Sequence, residues 1–253
     1  MSDMFWLSNR QFARMRPYFP LSHGVPRTDD RRVISGIIHV VKNGLRWCDA
    51  PAGYGPHKTL YNRFVRWSRL GVFDRIFSGL AGAAGEPDTV QIDSTHIKAH
   101  RTACSLASPR DGMPRHIGRT KGGLNSKLHA VINGEGKPVI LALTAGQVSD
   151  HIGAKIVYPC LPGSRVLIAD KGYDSNEWRA ALSAKGITAC IPPKANCKAK
   201  IEFDKVPYKQ RHKIENTFSK IKDWRRMATR YDRCADVFMA AVTLAVTCIF
   251  WLS

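Results

Sequence analysis

TVQIDSTHI, residues 89–97, is where the chain changes its period. Val90 and Ile92 alternate with Gln91, Asp93 and Thr95, a spacing of two that fits a half-buried strand. Downstream, SKLHAVINGEGKPVILALTAG (126–146) predicts two strands around a Gly134-Glu135-Gly136 turn. A helix is expected near 150–159. RVLIAD, from Arg165, is a continuous apolar run of the buried parallel-strand kind that ends on Asp170. Residues 175–186 predict a helix, and TACIPP, from Thr188, predicts a last strand. A hairpin followed by helix, strand, helix and strand predicts an α/β fold with a mixed sheet flanked by helices.

Upstream of residue 89 the spacing is helical. Residues 5–20 predict a short helix anchored by Phe5, Trp6, Phe12, Met15 and Phe19 and ended by Pro17 and Pro20. Thr28 to Asn43 predicts a longer one. Thr28 serves as its cap, Val33, Ile34, Ile37, Ile38 and Val41 form its apolar face, and Gly44 stops it. A Pro- and Gly-containing loop leads to HKTLYNRFVRWSRLGVFDRIF, from His57. Leu60, Phe64, Trp67, Leu70 and Phe73 are expected inward, and Lys58, Arg63, Arg66 and Arg69 on the other faces. A capped helix, a turn and a basic second helix predict a helix-turn-helix-like DNA reader, with a plain basic bundle as the alternative. AGAAGEPD (81–88) marks a boundary, giving two expected domains, 1–85 and 86–253.

Lys and Arg number 39 against 20 Asp and Glu, for a net charge of +19. An excess this large, spread along the chain, points to a polyanion, with nucleic acid ahead of an anionic membrane. Seven cysteines without a CxxC pair argue against a disulfide framework or a structural zinc site and fit reduced cytoplasmic thiols. MSDMFWLSNRQ lacks a basic-then-apolar leader pattern, and VFMAAVTLAVTCIFWL (237–252) is short of a membrane span, so it is expected as a buried terminal helix. Residues 101–125 carry Arg101, Arg110, Arg115, Arg119 and Lys121 among Ser, Pro and Gly. They are expected to form a phosphate-contacting loop.

YKQRHKIENTFSKIKDWRR (208–226) reads as one helix. At about 100° per residue, Tyr208, Arg211, Glu215 and Lys222 fall within an arc of about 60°, beside an apolar stripe of Ile214, Phe218 and Ile221. Asp93 lies on the first strand, Asp170 at the carboxyl end of a buried strand, where open α/β sheets bind ligands, and Glu215 on this helix. Converged, they would repel unless cations sat between them. Hard oxygen donors suit Mg²⁺ or Mn²⁺, and two such ions activate a water or a 3′-hydroxyl against a phosphodiester. Asp170 also suits an ordinary turn, and Glu215 a surface ion pair with Arg211.

The spacing Tyr, two residues, Arg, three, Glu, six, Lys resembles the signature of bacterial insertion-sequence transposases of the DDE, ribonuclease-H-like type. IDSTHIKAH around Asp93, GRTKGGLNSKLHAV (118–131) and IADKGYD around Asp170 are also similar to that family's segments, and the resemblance covers essentially the whole chain. It implies Asp93, Asp170 and Glu215 as metal ligands and catalytic residues. It further implies Tyr208, Arg211 and Lys222 as partners of the DNA strand near the cut. Asn133 stands where an acid is expected in relatives. Lys171 and Tyr173 suit either phosphate contacts or loop roles. His96 and His100 lack a third metal ligand, and Trp224 suits core packing better than base stacking. The resemblance implies an enzyme that binds terminal inverted repeats and cuts and joins DNA, as a dimer or more on double-stranded DNA. A metal-dependent nuclease and a DNA-binding repressor are the alternatives.

Overall fold

A computed structural model describes residues 4–21, 29–104, 115–194 and 202–253. Two compact units emerge from its contacts. One gathers described residues of Met1–Leu80, His100–Arg115 and Ile221–Ser253, and the other those of Ala81–Ala99 and His116–Lys220.

The first unit is helical. Helix α1 (Asn9–Met15) starts on a capping box in which Ser8 and Gln11 satisfy each other's backbone N–H. Helix α2 (Asp30–Asn43) is capped by Asp29, and Gly44 ends it in the left-handed conformation, φ 65°. The expected cap, Thr28, lies outside the described residues. Helix α3 (His57–Arg69) packs on α2, with Leu60, Phe64 and Trp67 fully buried. The run expected to continue through Phe77 breaks at Leu70 and Gly71, where Gly71 takes φ 62° before helix α4 (Val72–Gly82). Leu70, expected inward, is therefore exposed. Residues 44–56, expected as the turn between α2 and α3, hold two 3₁₀ turns, and the short Gly-containing connection lies between α3 and α4.

The second unit is built on a mixed sheet. Strands β1 (Thr89–Ala99), β2 (Gly118–Thr120), β3 (Gly123–Asn133) and β4 (Pro138–Ala145) come first, then helix α5 (Asp150–Val157) and strand β5 (Val166–Ile168). Helix α6 (Asn176–Ala184) and strand β6 (Thr188–Cys190) follow, and helix α7 (His212–Lys222) comes last. The order is β2-β3-β1-β5-β6, with β4 also on β3. β1 runs antiparallel to β3 and parallel to β5, and β6 is parallel to β5. Val90 and Ile92 face a core with Val131, Ala154, Val157, Leu167, Trp178 and Leu182, so α5 and α6 cover that side.

Residues 118–125, expected within a loop, instead form the β2–β3 hairpin. Asn125 Nδ2 closes it on Thr120 Oγ1 at 2.6 Å. Arg119 and Lys121 are exposed at its tip, and Arg110 lies outside the described residues.

Helix α8 (Ala235–Val246), followed by a π-turn through Trp251, returns to the helical unit and packs on α2 and α3. Its residues from Val237 to Val246 are almost all buried, as the uncharged run predicts. Its burial shows in the composition, but its packing partners do not. Among the described residues, no helix is long and apolar enough to cross a membrane.

Candidate carboxylate site

Register places the first two carboxylates. Gln91 pairs with Ile168 in the parallel β1–β5 ladder. Extended two residues past its last pair, that register brings Asp93 and Asp170 level, and the Asp170 charge acts on Asp93. Alternation puts Gln91, Asp93 and Thr95 on the face opposite Val90 and Ile92. The Asp93 carboxylate is held at both oxygens: Oδ1 accepts the Ser94 N–H at 2.8 Å and Oδ2 accepts Arg211 Nη1 at 2.8 Å. Burial raises its pKa and the Asp170 charge raises it further, against the lowering effects of the Ser94 N–H and Arg211. Asp170 caps the next turn by accepting the Gly172 N–H at 2.8 Å.

Glu215 arrives on α7. The segment expected as one helix is helical in pieces: Lys205–Tyr208, a 3₁₀ turn Lys209–Arg211, α7, and, after a break, Arg225–Ala228. Three residues at 3.0 per turn advance the chain by about 60° more than α-helix would, so the 60° arc read from the sequence does not apply to Tyr208. Ile214, Phe218 and Ile221 are buried as expected, and Trp224 is buried too.

Two bonds dock α7 on the β3–β4 turn. Lys213 Nζ donates to Gly134 O at 2.5 Å and Thr217 Oγ1 to Gly136 O at 2.8 Å. Asn133 shapes that turn by accepting the N–H groups of Glu135 and Lys137 through Oδ1, a task an acid would also perform.

Arg211 joins the elements. Its second Nη donates to Glu215 Oε1 at 2.5 Å. The Asp93 side chain is 18% exposed and that of Glu215 56%, so the Glu215 arm is the weaker one. Tyr208 packs edge-on against Phe203. Its hydroxyl is raised above its ordinary pKa, chiefly by burial, with Asp170 and Asp93 adding to it against Arg211. Asp93, Asp170, Tyr208, Arg211 and Glu215 therefore belong to one region of the sheet unit. Lys222, the last residue of α7, belongs by contacts to the helical unit.

Lys171 is exposed beside Asp170, while Tyr173 is buried in the core. His96 bonds to Gly146 O at 3.1 Å, and His100 to Thr102 Oγ1 at 2.9 Å while lying against Tyr231. Neither shares a ligand cluster with the other. On the helical unit, Lys58 and Arg66 are exposed on α3. Arg63 is turned inward, 3.6 Å from Asp30 and over the Trp67 ring.

Sequence reading missed the layer behind β1. Ser94 Oγ donates to Asp150 Oδ1 at 2.6 Å, and Lys127 Nζ lies 3.3 Å from the same oxygen. His129, fully buried, meets Thr144 Oγ1 at 2.9 Å, and burial pushes its pKa down to about 4. Polar residues at 94, 127 and 129 on strands otherwise rich in apolar residues were the available signal.

The donors suit a hard divalent cation: carboxylate oxygens, two of them level in the sheet, with Asp93 resisting ionisation in the absence of compensation. Among the described residues, however, no three His, Cys, Asp or Glu side chains are gathered closely enough to hold a metal. Arg211 supplies the positive charge between Asp93 and Glu215 instead. All six described cysteines are free.

Comparison with known proteins gives the family. Residues 84–251 match the model for "Transposase DDE domain", and residues 7–77 match that for "Putative transposase of IS4/5 family". A "Putative transposase for insertion sequence element IS6501" from Brucella ovis is 35% identical over 130 residues, covering 51% of this chain and 99% of that protein. A "Putative transposase for insertion sequence element IS402" from Burkholderia cepacia is 30% identical over 156 residues, covering 54% of this chain and 72% of that protein. A solved piggyBac transposase synaptic complex with hairpin DNA aligns at TM-score 0.52 with 8% identity, covering 94% of this chain and 69% of that one; it supports the fold alone. With one family model matching residues 84–251, and an insertion-sequence relative matched over 99% of its own length, this chain belongs to the DDE transposases, enzymes that act on DNA with a divalent metal.

Proposed function

We propose that this transposase binds the terminal inverted repeats of its insertion sequence, cuts the DNA there and joins the freed 3′-hydroxyl to a target. The observation that carries the reading is the meeting of Asp93 and Glu215 on Arg211, with Asp170 level with Asp93. Asp93, Asp170 and Glu215 would hold Mg²⁺ or Mn²⁺, two ions in the complete site. Bound there, the metal would supply an activated water or hydroxyl nucleophile and stabilise the leaving oxygen. One site serves both steps, because water and a DNA hydroxyl are similar nucleophiles.

The protein's own groups position the strand. Arg211 and Lys222 would neutralise phosphates near the cut, and Tyr208 would lie along the same strand. Lys171, next to Asp170, and Arg119 and Lys121, at the β2–β3 tip, would extend the backbone contact. In the division of labour proposed here, residues 1–85 hold the repeat and residues 86–253 carry the chemistry. Lys58 and Arg66 are exposed cations of α3, and Arg63 supports them from its place on Asp30 and Trp67. The excess of 39 basic over 20 acidic residues favours this partner. Pairing two ends calls for at least a dimer on DNA, in the bacterial cytoplasm.

The test is a duplex carrying the element's own end, incubated with Mg²⁺ or Mn²⁺. Nicked ends together with joined products support transposition. Nicks without joining indicate a nuclease of the same fold, and binding without nicks indicates a repressor.

A further inference from the structure

We infer that Arg211 is a built-in counter-cation, which excludes divalent metal from the DNA-free site and releases it when a DNA phosphate takes the guanidinium. The inference rests on the reading of Asp93, Asp170 and Glu215 as the metal ligands and adds a coupling between the metal and the DNA.

Three observations support it. Arg211 bonds Asp93 Oδ2 through one Nη and Glu215 Oε1 through the other, so one cation engages both outer members of the triad. Its charge is permanent, and its side chain is three-quarters buried, 25% exposed, so the attraction is only partly screened by water. With Arg211 in place, no three potential ligands among the described residues are gathered closely enough for a metal.

The bridge is also well suited to release. Arg211 ends the 3₁₀ turn Lys209–Arg211 rather than sitting within α7, and the Glu215 side of the bridge is 56% exposed. A guanidinium fork fits a phosphate as well as it fits a carboxylate. A DNA backbone near Tyr208 therefore offers Arg211 an equivalent partner and leaves two carboxylates to a divalent ion. Because coupling is reciprocal, the ion must tighten DNA binding by the same factor that DNA tightens the ion.

The experiment is calorimetric titration of Mn²⁺ into the full-length protein without DNA, for wild type, Arg211→Gln, Arg211→Lys and Asp93→Asn. Arg211→Gln is expected to bind Mn²⁺ at least about tenfold more tightly than wild type, within the usual range of coupling. Asp93→Asn should lose the site. A saturating short duplex should tighten Mn²⁺ on wild type and leave Arg211→Gln nearly unchanged. Mn²⁺ binding to Arg211→Gln that is no tighter than to wild type would overturn the inference while sparing the metal site. With the duplex present, equal Mn²⁺ binding by wild type and Asp93→Asn would overturn both. If Arg211→Gln does not fold, Arg211→Lys, which keeps the charge but loses the fork, must still bind Mn²⁺ more tightly than wild type.

Discussion

The Ser94 hydroxyl donates a hydrogen bond to Asp150 Oδ1 at 2.6 Å while its backbone N–H holds Asp93 at 2.8 Å, so one residue ties the front of β1 to the polar layer behind it. Lys127, 8% exposed, shares the same Asp150 oxygen. Asp150→Ala would leave that ammonium buried without its ion pair, a loss of about 3 kcal/mol. Ser94→Ala, which removes one hydrogen bond to a charged acceptor, should cost about 1.5–3 kcal/mol. Urea unfolding of both variants at pH 7 measures the difference, and equal stability with wild type in Asp150→Ala would contradict this account of the layer.

His129 predicts an acid limb. Its folded pKa is near 4 and its unfolded value 6.5, with burial the main cause. Above pH 6.5 both states are neutral and the residue costs nothing. Between pH 6.5 and 4 only the unfolded state takes the proton, so stability falls as pH falls, by about 3 kcal/mol in all. His129→Gln should flatten this limb in denaturant titrations at pH 7 and pH 5. Gly153 is bound to the same site, because a Cβ there would meet the His129 ring 2.1 Å away. Gly153→Ala is expected to destabilise the unit.

Gly172 tests the Asp170 turn. A Cβ at residue 172 would lie 2.8 Å from Asp170 Oδ1, closer than such contacts occur. Its backbone is not in the left-handed region, so Gly172→Ala should keep its fold and Tm near wild type while the carboxylate moves. The expected result is DNA cleavage reduced at least about tenfold with end binding retained, since a misplaced reacting group of this kind commonly costs up to 10²-fold.

Basic residues divide into two kinds. Arg226 forms a bidentate pair with Asp232 at 2.9 and 3.1 Å, both side chains buried, and stacks on Trp47. Arg226→Ala should cost about 3–5 kcal/mol by leaving Asp232 unpaired. Lys58→Ala and Arg66→Ala, at exposed positions of α3, should leave stability unchanged. Each should weaken DNA binding across sequences and lower the salt slope by about one. Fluorescence anisotropy at several salt concentrations checks both halves.

The sequence revealed most where a pattern was strict. The alternation at 89–97 located β1 and put Asp93 on the face away from Val90 and Ile92, and the apolar run at 166–168 located β5. Neither predicted the register that brings Asp93 level with Asp170, because register depends on partners distant in the chain. The helical stretch around Glu215 gave the correct apolar stripe but the wrong phase for Tyr208, since a three-residue 3₁₀ turn leaves no mark in hydrophobic spacing. Gly71 ended α3 where apolar periodicity ran straight on. Asp150 lies in the first turn of α5 behind the Ser149 cap, and nothing local in the sequence reveals that Ser94 and Lys127 converge on it. The i,i+4 spacing offers Glu215 as a partner for Arg211 and the structure shows that pair, but nothing local in the sequence reveals the bond from Arg211 to Asp93.

The central claim is that Asp93, Asp170 and Glu215 form one working site. Its most direct test is cleavage and joining of a duplex carrying the element's end, with Mn²⁺, by wild type, Asp93→Asn, Asp170→Asn and Glu215→Gln. Each substitution keeps shape and removes charge. Loss of both reactions in all three variants, with end binding intact, is the predicted result. Cleavage at wild-type rate by Glu215→Gln, or by either Asp→Asn variant, would contradict it.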